Sequence, residues 1–208
     1  MDDFQFTNNW FDGPRAIWEK IIPQIKPAKI LEIGTYEGAS ICYLIQKLSA
    51  LHPLEIHCVD TWEGGELVLN PPTREQMAAA ESRFRANTKI AIGNAPKPVD
   101  LVVHKGRSDE ELAKLISDGK NGYFDFIYVD GSHQAPDVLC DALLSFRLLK
   151  VGGIMAFDDY LWAENLPQGR DPVRCPKPAI DAFTNIYCRK IQILPAPVSQ
   201  IYIQKTSD

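Results

Sequence analysis

The chain of 208 residues lacks several features that would each point to a function. It has no C-x-x-C pair. Its five cysteines (Cys42, Cys58, Cys140, Cys175, Cys188) are scattered and odd in number. That speaks against a structural zinc site and for free thiols, with those at 42, 58 and 140 buried in predicted core elements. No apolar run is long enough to span a bilayer. The opening MDDFQFTNNW carries acids where a signal peptide needs an apolar core, so a cytoplasmic protein with no membrane partner is expected. Positive charge is not in excess. The net charge of −5 argues against a broad surface for nucleic-acid backbone. Internal repeats and low-complexity segments are missing. So is G-x-G-x-x-G, the fingerprint that sets a pyrophosphate on a helix N-terminus, and its absence counts against an NAD-dependent oxidoreductase. Within these limits the length suits one compact α/β domain with a substantial core.

The most informative stretch is ILEIGTYEGAS, residues 30–40. Ile30, Leu31 and Ile33 read as a short buried strand, Gly34 and Gly38 as a turn, and 39–51 as a helix with Ile41, Leu44, Ile45 and Leu48 on one face. A strand, a glycine turn and a helix make a ligand-binding turn, because glycine admits a close ligand and the helix amides face it. The acid Glu32 beside that turn suits a ligand carrying a positive amino or sulfonium group better than a pyrophosphate.

Upstream, Ile17, Trp18, Ile21, Ile22 and Ile25 recur at helical spacing over 13–26, a helix expected to pack across the sheet edge or over the ligand crevice. Pro14 suits its start and Pro23 should end or kink it. Residues 1–26 are read as a helical extension and 27–208 as the single domain. The second strand, 54–59, ends in Asp60, where nucleotide-binding α/β folds place an acid on the ribose hydroxyls. Trp62 either covers the adenine or ribose or packs the sheet end. A polar insertion, 63–72, leads to Thr73 with Gln76 as a capping box for a helix running to about Lys89, and 87–98 reads as loop. The third strand is 99–103, and Ser108 with Glu111 predicts a second capping box for a helix to about Ser117. The run 124–129 fits a central strand buried on both faces. It ends in Asp130-Gly131-Ser132-His133. A helix over 136–149, a turn at 150–153 and a strand over 153–157 then lead to Asp158-Asp159. The tail reads as a helix (178–188) and two strands (190–194, 200–204). Ligands of open α/β sheets bind outside the carboxyl ends of the strands, and the Glu32 turn, Asp60, Asp130, His133, Asp158 and Asp159 all fall on that edge.

Taken together, LEIGTYEGAS, VDTW, DFIYVDGSH and LLKVGGIMAFDDY resemble the class I S-adenosylmethionine (SAM) dependent methyltransferases. The likeness is to the bacterial small-molecule O-methyltransferase branch that includes the macrocin-type and cephalosporin-cluster enzymes. It covers about residues 29–160 well and the tail loosely. The resemblance implies a Rossmann-like, seven-stranded, mostly parallel sheet with a C-terminal antiparallel hairpin and helices on both faces. It implies SAM held by Glu32, Gly34, Thr35, Tyr36, Gly38 and Ser40, by Asp60, Thr61 and Trp62, by Gly106 and Ser108, and by Asp130. It also implies a divalent metal, Mg²⁺, on Asp130, Asp158 and Asp159. His133 matches the family's general base beside Asp130, though it can equally orient Asp130 or the substrate. The expected acceptor is a hydroxyl of a small molecule such as a sugar or a natural-product intermediate, and a homo-oligomer is left open. A catalytically silent SAM-binding scaffold is the competing reading. A protein or nucleic-acid methyltransferase would need a basic groove or a recognition domain that the sequence does not show. The sequence departs from the branch at 64–72 and 161–176, where acceptor specificity is usually built.

Overall fold

The computed structural model of the chain describes residues 3–64 and 67–208; Gly65 and Glu66 of the insertion lie outside the described residues. Its centre is a sheet in the order β3-β2-β1-β4-β5-β7-β6. The strands are β1 (Lys29–Ile33), β2 (Leu54–Asp60), β3 (Val99–Lys105), β4 (Phe124–Val129), β5 (Leu149–Phe157), β6 (Ile191–Leu194) and β7 (Ile201–Lys205). The first five pair in parallel, and β7 runs antiparallel to both β5 and β6. The seven strands and the closing hairpin are those the resemblance implies.

Among the described residues six α-helices cover the sheet: α1 (Asp12–Ile25), α2 (Ala39–Leu48), α3 (Arg74–Gly93), α4 (Ser108–Ser117), α5 (Ala135–Leu148) and α6 (Lys177–Ile186). They divide by face. Side chains of α1, α2 and α3 share one buried cluster with Ile30, Ile56, Phe126 and Tyr128, while those of α4, α5 and α6 share the other with Leu31, Val59, Ile127 and Val129. The alternation of strand residues between the two clusters is the period of two that a sheet imposes. Two-sided burial explains why β4 is apolar throughout. Trp18 anchors α1 on the sheet centre, not its edge. It is fully buried, with its ring 5.3 Å from Phe126 and 4.8 Å from Tyr128 in edge-on contact, each pair adding about 0.5–1.5 kcal/mol beyond burial.

The sequence reading needs correction in several places. Pro23 neither ends nor stops α1, which runs on to Ile25 and closes with Lys26 at φ 44°. So near the C-terminus the proline forfeits one ladder bond and no more. Helix α2 stops at Leu48, earlier than expected, whereas α3 continues to Gly93 through residues read as loop. Asn87 and Thr88 are buried helix residues, and the Thr88 hydroxyl folds back on the Phe84 carbonyl at 2.8 Å. The Thr73–Gln76 capping box is formed. The second one is not: Arg107 is the N-cap of α4 and no side chain caps it. Strand β3 extends to Lys105. The expected turn before β5 is a shift of register inside it, since Phe124 faces Leu149 but Phe126 faces Ile154. Cys42, Cys58 and Cys175 are buried, Cys140 is half-buried, and all five thiols are free.

Candidate active site

Strand order reverses between β1 and β4, and a parallel sheet opens its ligand crevice there, at the carboxyl edge. A cleft of about 1370 Å³ occupies this position. That exceeds the space one drug-sized ligand fills, about 300–1,000 Å³, and leaves room for two molecules side by side. Of the residues expected at the site, Gly34, Thr35, Tyr36, Ser40, Asp60, Thr61, Gly106, Ser108, Asp130, His133, Asp158 and Asp159 line the cleft. Glu32, Gly38 and Trp62 do not.

The strand ends are laced together by backbone bonds that continue the ladders: Gly34 N–H to Val59 O at 2.9 Å, Asp130 N–H to Ile33 O at 2.8 Å and Asp158 N–H to Val129 O at 3.0 Å. This tight lacing is why residue 34 is glycine. Its φ is 81°, and a Cβ there would lie 2.0 Å from the Asp130 carbonyl oxygen. Gly38, at φ 77°, is the N-cap of α2 and offers no side chain to the helix amides. Those amides stay available to a ligand anion.

Asp60 closes the turn from the next strand. Its Oδ2 accepts the amides of Thr35 and Tyr36, both at 2.9 Å, and its Oδ1 accepts that of Trp62 at 2.7 Å. Burial pushes its carboxyl up against these three backbone donors. The acid expected on a ribose thus already holds the glycine turn in shape. Trp62 is turned away from the cleft. It is buried on Phe84, with its indole N–H 2.8 Å from the Tyr36 carbonyl, so it packs the sheet end. Glu32 lies beneath the turn. The Ser40 hydroxyl donates to its Oε1 at 2.6 Å, its Oε2 has no partner, and burial pushes its carboxyl up to about 8. The Thr35 hydroxyl is likewise buried without a partner. Orphaned polar atoms under an uncapped helix end favour a ligand with donors and a carboxylate of its own.

Across the cleft, His133 Nε2 lies 2.8 Å from Asp159 Oδ2, and the Trp162 ring packs on the imidazole with centroids 4.2 Å apart. Asp159 has φ 54°, in the sparsely populated left-handed region, and its amide is held by Asp158 Oδ1 at 2.8 Å. Functional constellations often carry such strain. Asp158 points the other way, into the protein. Its Oδ2 accepts the Tyr128 hydroxyl and its Oδ1 the Gln200 amide at 3.0 Å. Burial pushes Asp130 and Asp158 above the usual carboxylate range, with neighbouring carboxylates adding to the effect.

Among the described residues no three His, Cys, Asp or Glu side chains are set to share an ion. Asp130, Asp158 and Asp159 line one small pocket beside His133, but as placed Asp158 and Asp159 are hydrogen-bonded to Tyr128, Gln200 and His133 and share no ion.

Two features at the cleft have no signal in the sequence. Glu37, 2% exposed, accepts the Thr7 amide at 2.8 Å, the Thr7 hydroxyl at 2.7 Å and the Arg83 guanidinium at 2.7 Å. Asn87 holds Gln5 on both its amide, at 2.7 Å, and its carbonyl, at 3.0 Å. The segment 4–11 is thereby strapped along the rim. It brings Trp10, 70% exposed, against the Tyr36 ring at 5.2 Å. No local pattern announces a partnership across 82 residues.

Comparison with known proteins agrees with this fold. The O-methyltransferase from Bacillus cereus in complex with S-adenosylhomocysteine superposes with a TM-score of 0.64 at 16% identity, over 97% of this chain and 84% of that one. The O-methyltransferase TomG from Streptomyces achromogenes, in complex with SAM, gives 0.60 at 18% identity, over 99% and 83%. In sequence, caffeoyl-CoA O-methyltransferase 1 of Eucalyptus globulus is 27% identical over 139 residues, 65% of this chain and 55% of that protein. The chain spans about a quarter to a half of the length of the curated relatives it matches. A family model described as "Methyltransferase domain" matches residues 31–160, well over half of the chain. The glycine turn, the four strand ends around it and both acids of Asp158-Asp159 fall inside that match, and the chain belongs to this methyltransferase-domain family.

Proposed function

We propose that the chain transfers a methyl group from SAM to a hydroxyl of a small molecule. One observation carries the reading: a single cleft brings the uncapped N-terminus of α2, above the orphaned oxygens of Glu32 and Thr35, face to face with the His133–Asp159 pair. The α2 amides suit a carboxylate, the unpartnered oxygen of Glu32 beneath the turn a donor such as an amino group, and the 106–108 turn an adenine. When bound there, SAM supplies an electrophilic methyl group on a sulfonium.

The chain's own work is then alignment and proton removal. His133 donates Nε2–H to Asp159, which leaves Nδ1 as the accepting nitrogen. The acceptor's hydroxyl proton moves to Nδ1 as its oxygen takes the methyl group, and the pair of the broken carbon–sulfur bond stays on sulfur. Asp159 fixes the tautomer and steadies the imidazolium. Trp162 covers one face of the ring and shields it from water. The large cleft, lined by Phe6, Trp10, Phe11 and Trp162, suits an acceptor with an apolar body.

The test is calorimetric titration with S-adenosylhomocysteine, followed by incubation with SAM and caffeoyl-CoA or free catechols and detection of the methylated product by mass. Binding with transfer is expected. Binding with no transfer to any hydroxyl would favour the silent scaffold, and no binding would overturn the reading altogether.

A further inference from the structure

Two irregular segments wall the acceptor side of the cleft, and beyond Trp162 the chemistry above gives them no role. Residues 67–72 follow β2 and contribute Leu67, Asn70 and Pro72. Residues 161–176 follow β5 and contribute Trp162. They are far apart in sequence and share no strand or helix. Glu164 joins them. Its carboxylate, 9% exposed, accepts the Val68 and Leu69 amides on Oε1 at 2.7 and 2.8 Å. On Oε2 it accepts the Arg174 guanidinium at 3.1 and 3.3 Å. These donors hold the carboxyl below its usual range, the Leu69 amide foremost.

Apolar packing does little for the first segment. Val68 is 57% exposed and Leu69 43%, so their side chains face outward while their amides face Glu164. The two charge-assisted bonds from its Val68 and Leu69 amides are therefore its principal attachment among the described residues, and such bonds are about twice as strong as neutral ones. Trp162, two residues before Glu164, packs on His133. The clip thus fixes the distance between the 67–70 wall and the face of the ring that covers the base.

We infer that Glu164 is a positioning residue for the methyl acceptor: through Val68, Leu69 and Arg174 it sets the width of the acceptor side, and it touches neither cofactor nor reacting atoms. The inference rests on the proposed transfer at this site. Three readouts on Glu164→Ala and the near-isosteric Glu164→Gln test it. Amide exchange at Val68 and Leu69 should quicken by about tenfold or more. Affinity for S-adenosylhomocysteine should stay within about twofold of wild type, since the clip lies away from the glycine turn. With caffeoyl-CoA as the acceptor probe, KM should rise about tenfold with a smaller change in kcat, as expected when positioning is lost and the base is intact. Unchanged exchange would show that Glu164 is no clip. Quickened exchange with unchanged KM would show a clip that positions nothing, and a matching loss of cofactor affinity would show a general structural role; each overturns the inference. If Glu164→Ala does not fold, Glu164→Gln decides. Wild type that methylates neither caffeoyl-CoA nor catechols removes the proposed function and this inference together, and that failure is read on wild type alone.

Discussion

His133 Nε2 stands 2.8 Å from Asp159 Oδ2, and the aspartate takes a left-handed backbone conformation to reach it. A residue strained into place to meet an imidazole has a stake in which nitrogen bears the proton. His133→Ala should lower kcat about 10²–10⁴-fold, the usual worth of a positioned base, with S-adenosylhomocysteine affinity unchanged. Asp159→Asn should cost less, and almost nothing further in the His133→Ala background. Single-turnover methyl transfer in the two single variants and the double variant is the measurement. A full additional loss in the double variant would show that Asp159 acts independently of the ring.

The commitment of Asp158 to Tyr128 and Gln200 bears on metal dependence. Turnover should survive exhaustive chelation with EDTA. Loss of activity restored by Mg²⁺ would show that Asp159 leaves His133 to become a ligand.

Glu32 should make stability depend on pH. Burial pushes its carboxyl up to about 8 from an ordinary 4.5. The folded state keeps its proton where the unfolded chain has lost it, so this contribution is greatest at or below the ordinary value and is lost as pH rises toward the folded one. Denaturant titrations at about pH 5 and about pH 8 should show a decline in wild type that Glu32→Gln flattens. The same variant should bind S-adenosylhomocysteine more weakly. An identical pH profile in the variant would remove Glu32 as the cause.

The opposite sign applies beneath α4. His57 Nε2 meets Glu55 Oε1 at 2.9 Å, its Nδ1 meets His104 Nε2 at 2.8 Å, and His104 Nδ1 lies 3.8 Å from Glu111 Oε2. Lys120, Tyr123, Asp100, Lys114 and Asp118 complete the charged surroundings. One proton bridges the two rings, so both cannot be charged. Burial lowers the pKa of each below 6.5, and the charge of its neighbour lowers His104 further. The stability this provides is present above the unfolded value and is lost as pH falls through the folded one. The melting temperature should therefore drop below about pH 6.5, and His104→Gln should blunt the drop.

Glu37→Ala should free the rim. Thr7 and Arg83 both lose their partner, and since Thr7 is exposed and Arg83 only half-buried, water takes its place at a cost of about 0.5–1.5 kcal/mol per bond. Limited proteolysis should then cut within residues 4–11 faster while far-ultraviolet circular dichroism is preserved. Unchanged cleavage would mean that the Gln5–Asn87 bonds alone hold the strap.

Much of this molecule could be read from its sequence because it is local. Periodicity located the strands and helices, and the glycine turn together with the strand-end acids marked the correct edge. Three kinds of feature escaped. Boundaries moved where tertiary burial overrode polarity, as at Asn87 and Thr88. Partners of the strand-end acids were hidden too: Asp60 accepts the amides of Thr35 and Tyr36, and Asp158 accepts from Tyr128 and Gln200, all far off in sequence. Trp62 was left open between covering a ligand and packing the sheet end, and its burial depends on Phe84 of α3, a partner no local pattern records. Glu37, Trp10 and Glu164 act across distances that a pass along the chain does not cover.

The strap also has a consequence for the order of assembly. Gln5 rests on Asn87, 82 residues later. A ribosome adding about 5–20 residues per second leaves the N-terminal segment without its seat for some 4–16 s. A nascent chain interrupted before α3 would hold the whole glycine turn and no rim. Phe4, Phe6, Trp10 and Phe11 are thus an aromatic segment that a chaperone, or another nascent chain, can meet before α3 has been made to seat it.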